Sequence, residues 1–463
     1  MKLKRPPIEI SKDEPFKNDQ LGRLAHAKIL SEFVRSLDEP FVLALESGWG
    51  HGKSTFIRMW AQSLQNDGHV CVYFNAWDAD FSGDPLIPLL SEVTGTLATS
   101  GFTSPEISAY IEKLKSIGMQ VAKRSLPVAA KILTAGVLDL DAFTEKSYAE
   151  AIEGMLKEKF GEYEASKQSV EQFRNALENL VERTKSEGKK IPLVFFVDEL
   201  DRCKPPFAVA VLERLKHMFN VPNVAYVLAI DRRQLEESIK GVYGQGCDAS
   251  RYLRRFVDMA YHLPEPQPDQ YVRYLLASTG LDQALANTTQ DAYADKHFIE
   301  VFALLSRFFG LRLRDQEQAI LLLSVAWRTL KKGDQVNQFV VALLVVVKLA
   351  EPETYLKLKT GLINAPEFIK RLESNPEISK YFRTNYGHGF WAYIVAYFGE
   401  EGDINALVAD LSNAAKQPSA SEETKERSFR MLRILRGGSR QDWMRKLASR
   451  LDIAESFSTP APQ

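Results

Sequence analysis

The sequence predicts an α/β fold with a doubly wound parallel sheet, and three observations point there. Four short runs rich in β-branched and aromatic residues, Val42 to Glu46, Val70 to Phe74, Leu193 to Val197 and Val224 to Ile230, are nearly continuously apolar. That is the pattern of strands buried on both faces. Helical patterns separate the runs, the alternation expected of right-handed crossover units. A glycine-rich turn, Ser47 to Gly52, stands between the first run and the first helix after it.

Each element follows from its pattern. Thr55 to Leu64 reads as the helix after the turn, and Ala208 to Phe219 as the helix joining the third run to the fourth. The charged stretch at about 101–190 is a helical insertion, expected to form a subdomain of its own. Val170, Phe173, Leu177, Leu180 and Val181 mark one apolar helix face within it. Beyond Pro264 the pattern turns to helices with no clear further strand, through to about Leu451, and the final Ser-Thr-Pro-Ala-Pro-Gln reads as a frayed tail.

Bulk properties narrow the class. At 463 residues the chain is long enough for two or three units with cores of their own. Hydrophobic residues at 45% and charged residues at 26% are ordinary globular values, which argues against extensive disorder. A net charge of −1 gives no global argument for nucleic acid. Three scattered cysteines, Cys71, Cys203 and Cys247, make neither a disulfide framework nor a zinc site. The first residues lack the apolar core of a secretory signal, so the cytoplasm is the expected compartment. No run reaches the roughly 18 apolar residues of a membrane span. Gln335 to Val347 has the length of a buried core helix, and Ser116 to Leu138, broken by three basic residues, reads as a core or partner-facing helix.

The turn carries the chemistry. In Glu46-Ser-Gly-Trp-Gly-His-Gly-Lys-Ser-Thr55 the glycines let backbone N–H groups converge on phosphate oxygens at the positive end of a helix. Gly48, Trp49, Gly50, His51, Gly52, Lys53, Ser54 and Thr55 are the expected nucleotide contacts. Lys53 reaches the β- and γ-phosphates and Ser54 ligates Mg²⁺. The general pattern has glycine where this chain has Ser47, with Gly48 one place later.

The third run ends in carboxylates, Asp198-Glu199-Leu-Asp201-Arg202, at the sheet edge where ligands bind. Asp198 suits a ligand of Mg²⁺, and Glu199 the base that polarises an attacking water. Asp201 supports the metal, pairs with Arg202 or is itself the base. Asp231, closing the fourth run, either senses the γ-phosphate or caps the next helix. Neither an Asn-Lys-x-Asp tetrapeptide nor an Asp-x-x-Gly after the third run is present, so ATP is expected rather than GTP.

Together these residues resemble the KAP family of P-loop NTPases. The marks are Gly48 to Ser54, Phe74-Asn-Ala-Trp77 with Asp84-Pro-Leu86, Asp198-Glu-Leu-Asp-Arg-Cys-Lys-Pro205, Val227-Leu-Ala-Ile-Asp231, Tyr252-Leu-Arg-Arg-Phe256 and Leu313-Arg-Asp-Gln-Glu-Gln318. The resemblance covers about residues 15–325 and departs at Ser47 and at Glu199, where many members have a second aspartate. It implies a three-layer core of the additional-strand, AAA+-like type, followed by an all-helical lid and a C-terminal helical region. The expected division is 1–270, 271–345 and 346–463. It also implies ATP hydrolysis coupled to conformational change or to assembly with partner proteins, with Arg314 as the lid arginine on the γ-phosphate and Arg312 its rival. Arg23 is set near the base, and Arg254 and Arg255 are candidates for a finger acting on a neighbouring subunit, or else pair locally. Many members carry membrane spans in the insertion; the charged insertion here resembles a soluble member, for which the family suggests signalling or bacterial phage-exclusion complexes.

Two further readings stand beside hydrolysis: a nucleotide-dependent scaffold with little turnover, and a P-loop kinase, for which no acceptor site is visible. Self-association or protein partners are expected. The basic segment 425–450, with Arg427, Arg430, Arg433 and Arg436 at three-residue spacing, is either a solvated or partner-facing helix face or a contact for nucleic acid.

Overall fold

Phe41–Glu46 forms β1, followed by β2 (His69–Asn75), β3 (Lys190–Asp198), β4 (Val224–Ile230) and a short β5 (Met259–His262) in the computed structural model. The structure describes residues 8–100, 102, 105–125, 145–264, 268–286, 294–328, 337–437 and 440–456. All four pairings are parallel, and the strand order is β2-β3-β4-β1-β5. One strand, β4, therefore lies between the strand that leads into the glycine-rich turn and the strand that ends in carboxylates, which is the additional-strand arrangement. The fifth strand was not anticipated: Met-Ala-Tyr-His is short and largely exposed at the sheet edge, so it lacks the buried apolar run that marks the others.

The period of two in the strands sorts their side chains onto two faces. Val42, Val72, Phe195 and Tyr226 face one core, and Leu43, Leu45, Phe196 and Val227 the other. The second face is covered by α1 (Leu24–Arg35) and α2 (Lys53–Asn66) through Leu30, Phe56, Ile57 and Trp60. The first is covered by α4 (Leu86–Thr99), α5 (Pro105–Ser125), α6 (Glu145–Ser186), α7 (Pro205–Met218) and α8 (Arg232–Tyr243). Two short helices, α3 (Ala76–Ala79) and α9 (Ala249–Leu253), lie in the connections. The sheet is the middle of three layers.

The insertion between β2 and β3 is helical as expected, but its described parts do not build a separate core. Ile107, Leu114 and Val121 of α5 and Phe173, Leu177 and Leu180 of α6 are buried in the same cluster as Phe195 and Tyr226 of the sheet. Phe173 and Phe195 both pack edge-on against Phe219. Charged residues of the same helices, Glu112, Lys113, Arg174 and Glu178 among them, are exposed. Residues 126–144, which include the end of the apolar stretch to Leu138, lie outside the described residues, as does the C-terminal Ser-Thr-Pro-Ala-Pro-Gln.

The chain divides into two compact units, Ile8–Glu265 and a second from Pro266 onward. The second contains only helices among its described residues: α10 (Pro268–Thr279), α11 (Leu281–Ala286), α12 (Ala294–Phe308), α13 (Leu313–Arg328), α14 (Gln338–Ala350), α15 (Pro352–Thr360), α16 (Ala365–Glu373), α17 (Pro376–Phe382), α18 (Asn385–Phe398), α19 (Glu401–Lys416), α20 (Glu422–Leu435) and α21 (Gln441–Ser456). Val340 to Val347 in α14 are all fully buried, so this apolar helix is the centre of its unit. Asp452 of α21 ties it to its neighbours, accepting from Lys348 at 2.8 Å, Lys359 at 2.6 Å and Tyr355 at 2.9 Å. Among the described residues no helix is long and apolar enough to cross a membrane.

In the basic segment, Arg427 and Arg433 are exposed on α20, and Arg436 is exposed just after it. Arg440, by contrast, packs over Tyr393 and Tyr397 and donates to the Ile434 carbonyl, so it belongs to the helical core and not to a charged face. Phe390 is buried, whereas Trp391 and Tyr393 are half-buried.

Candidate active site

Parallel pairing in this register brings the C-terminal ends of the strands to one edge. Asn75 pairs with Asp198, Asp198 with Ala229, and Glu46 with both Ile230 and His262. The glycine-rich turn leaves β1 at this edge. Gly50 and Gly52 hold φ of 78° and 79°, left-handed values that cost an L-residue about 1–2 kcal/mol. Ser47 makes no such demand: among the described non-glycine residues only Glu199 and Asn223 have positive φ. Its N–H donates to the Ile230 carbonyl at 3.2 Å, extending the ladder to β4 by one residue. The departure at this position therefore leaves the backbone of the turn unstrained.

Lys53 is the first residue of α2 and is buried, and its ammonium points back into the turn, donating to the carbonyls of Ser47 at 2.5 Å and Gly48 at 3.2 Å. Burial lowers its pKa, while the negative charges of Asp201, Asp231 and Asp198 oppose that shift. A buried cation at a helix N-terminus is an anion-binding arrangement. Ser54 and Thr55 follow it, half-buried, in the first turn of α2.

Asp198 is buried at the end of β3. Its Oδ2 accepts from the Tyr73 hydroxyl at 2.6 Å and its Oδ1 from the Glu199 N–H at 2.9 Å. Arg58 of α2 in turn donates to the Tyr73 hydroxyl at 3.1 Å. Tyr73 and Arg58 were not singled out from sequence, because their link to Asp198 depends on the register of β2 against β3. Glu199 sits at a left-handed φ of 58° and pairs with Arg202 at 2.8 Å. Arg202 lies 5.7 Å from the centre of the Trp77 ring. Burial raises the Glu199 pKa, and the Arg202 charge works against that rise.

Asp201 does not pair with Arg202, whose partner is Glu199. Its buried carboxylate accepts from the Trp49 indole at 2.6 Å and from the Asp231 N–H at 2.8 Å. Asp231 caps α8 by accepting from the Arg233 N–H at 3.2 Å, and its place at the end of β4 keeps its charge near Lys53. A third buried carboxylate, Glu46 at the end of β1, accepts from Arg232 at 3.2 Å and lies 3.3 Å from His262. Nothing in the local sequence announced that cluster.

Arg23 is buried and bridges the carbonyls of Gly52 and Pro264, each at 3.3 Å. Burial pushes its pKa down to about 10, partly opposed by Asp19. It thus braces the end of the turn. Arg254 and Arg255 are exposed after α9, with Arg255 beside the Tyr252 ring. Arg312 and Arg314 are exposed in the second unit, where the Arg312 N–H donates to Asp315 at the start of α13.

The residues present fit a magnesium nucleotide in kind. The turn offers a buried lysine, two left-handed glycines and a helix N-terminus for phosphates, and Ser54 and Asp198 are hard oxygen donors of the sort Mg²⁺ takes.

A strand, this turn, a helix and a parallel sheet with one strand between turn and carboxylates define a P-loop NTPase. The chain belongs to the KAP family: the family's P-loop domain matches residues 24–346. No curated protein matches the sequence. Two solved structures of the Aeropyrum pernix ORC2 protein resemble it at low identity. One, of ADPNP-ADP complexes, is 12% identical, covers 94% of this chain and 95% of that one, and has a TM-score of 0.33. The other, an ADP form, is 14% identical, covers 98% and 96%, and has a TM-score of 0.29.

Proposed function

We propose that the protein binds ATP with Mg²⁺ at residues 48–55 and hydrolyses it, using the cycle to drive a conformational change or assembly with partner proteins. The observation that carries this reading is the gathering of Lys53, Asp198, Glu199 and Asp231 at one sheet edge around the glycine-rich turn. Lys53 would leave the carbonyls of Ser47 and Gly48 for the β- and γ-phosphate oxygens, exchanging two neutral acceptors for charged ones. Ser54 and Asp198 would hold Mg²⁺, which when bound offsets the charge that develops on the phosphates. Tyr73, backed by Arg58, fixes the Asp198 carboxylate for that task.

Glu199 is the base in this reading. Its raised pKa favours taking a proton from water, and its left-handed backbone is the kind of strain that collects at active sites. Asp231 aids at the γ-phosphate side. Arg23 would position the turn toward the base of the nucleotide.

A second reading has its own support. The ion pair between Glu199 and Arg202 occupies the carboxylate, as a scaffold that binds nucleotide with little turnover would require. Steady-state hydrolysis separates the two. If Glu199 is the base, Glu199→Gln lowers kcat by about 10² or more. Tight ATP binding without measurable turnover in the unaltered protein rejects hydrolysis and keeps the scaffold.

A further inference from the structure

Three elements meet on one oxygen. Asp201 lies in the turn that follows β3, Trp49 at the tip of the glycine-rich loop and Asp231 at the junction of β4 and α8. Oδ2 of Asp201 accepts from the Trp49 indole at 2.6 Å and from the Asp231 backbone N–H at 2.8 Å. The carboxylate is buried, and the Lys53 charge is close enough to act on its ionisation.

We infer that Asp201 is a positioning residue: it fastens the phosphate loop to the end of β4 by way of the Trp49 indole. The inference rests on the reading that nucleotide binds at this loop. Two features set Asp201 apart from a base. A base must present a free lone pair to water, whereas this carboxylate is buried and has Oδ2 taken by two donors. Glu199, two residues before it, carries the left-handed backbone, while Asp201 sits in a regular turn with its side chain bonded to Trp49 and Asp231.

The size of Trp49 also has a reason here. Its side chain sits at an otherwise glycine-rich tip, where a large residue without a partner would be mobile. An indole has a single N–H donor, and giving it to a buried carboxylate is a charge-assisted bond with one geometry. The bond sets where the loop's N–H groups point, and so whether they converge on phosphates. Because the same oxygen takes the Asp231 N–H, a shift of the loop when phosphates bind is passed to the start of α8. That start is held from the other side as well: Arg232, the next residue, bonds Glu46 immediately before the loop. The strand end before the loop and, by way of Asp201, the tip of the loop are therefore tied to the N-cap and first residue of α8.

The test is a double-mutant cycle on Trp49→Phe and Asp201→Asn, read in the full chain as equilibrium binding of Mg²⁺ with a slowly hydrolysed ATP analogue. Trp49→Phe removes the indole donor together with part of the ring, and Asp201→Asn keeps the shape while removing the charge. Each should weaken binding by about tenfold, the scale of one charge-assisted hydrogen bond, and the double variant should bind no more weakly than the weaker single. A readout without nucleotide accompanies it. Of the six tryptophan indole N–H resonances, Asp201→Asn should move that of Trp49, assigned by its loss in Trp49→Phe, and leave the rest in place. Losses that multiply in the double variant, or an unmoved Trp49 resonance, overturn the inference. So does an Asp201→Asn protein with intact affinity and abolished turnover, which would make Asp201 part of the chemistry. If the unaltered protein binds no analogue, the nucleotide reading fails, and the indole resonance still decides whether the clasp exists.

Discussion

Glu199 and Arg202 pose the sharpest question at the scale of single residues. The proposed base is held by a guanidinium at 2.8 Å, and burial outweighs that cation enough to leave its pKa raised. A base must be ionised to act, so activity is lost as pH falls through the raised pKa. The acid limb of kcat should therefore lie above the ordinary glutamate value of about 4.3. Arg202→Ala removes the charge that favours the carboxylate and should move that limb to higher pH. A pH–rate profile whose acid limb stays put, or moves down, contradicts the assignment of Glu199. That Lys53 and Ser54 open a helix after a glycine-rich turn, and that Asp198 and Glu199 stand at the end of a buried strand, was legible in the sequence because both are local patterns of fixed spacing. Tyr73, Arg58 and the bond from Trp49 to Asp201 were not. They join residues more than a dozen positions apart through strand register and loop path, which no local spacing records.

Elements repeat that lesson with larger pieces. Four strands were readable because both their faces are buried, which forces continuous apolar runs. The fifth was not, because an exposed edge strand is under no such pressure. The insertion was readable as helix, but its destination was not, since charge on the outer side of α5 and α6 says nothing about what the inner side covers. In the helical unit, α18 approaches α17 through Gly387, where an added Cβ would fall 1.8 Å from the Tyr381 carbonyl oxygen. Backbone cannot yield as a flexible side chain can. Gly387→Ala should destabilise the protein by about 3 kcal/mol or more, at the upper end of overpacking costs. Chemical denaturation checks this, and a midpoint unchanged from the parent would show that the two helices separate freely.

The whole molecule joins an α/β nucleotide unit to a helical one, and a net charge of −1 leaves no general attraction to polyanions. The exposed arginines of α20 keep a local anionic or protein contact open to the second unit, without the support of Arg440, which is committed to its core. If the nucleotide cycle drives assembly, mass photometry should show a larger particle with Mg²⁺ and ATP than without. A single unchanged mass would confine the cycle to motion within one chain.

All of these expectations depend on the loop receiving ATP. Ligand that binds only the folded state stabilises it by about 2.7 kcal/mol at a hundredfold excess over Kd, which is several degrees in Tm. The decisive measurement is a thermal titration of the full chain and its Lys53→Ala variant with ATP in the presence of Mg²⁺. The phosphate-loop account predicts a Tm that climbs with ATP in the parent and stays flat in the variant. A parent Tm indifferent to ATP, or an equal climb in both proteins, would contradict it.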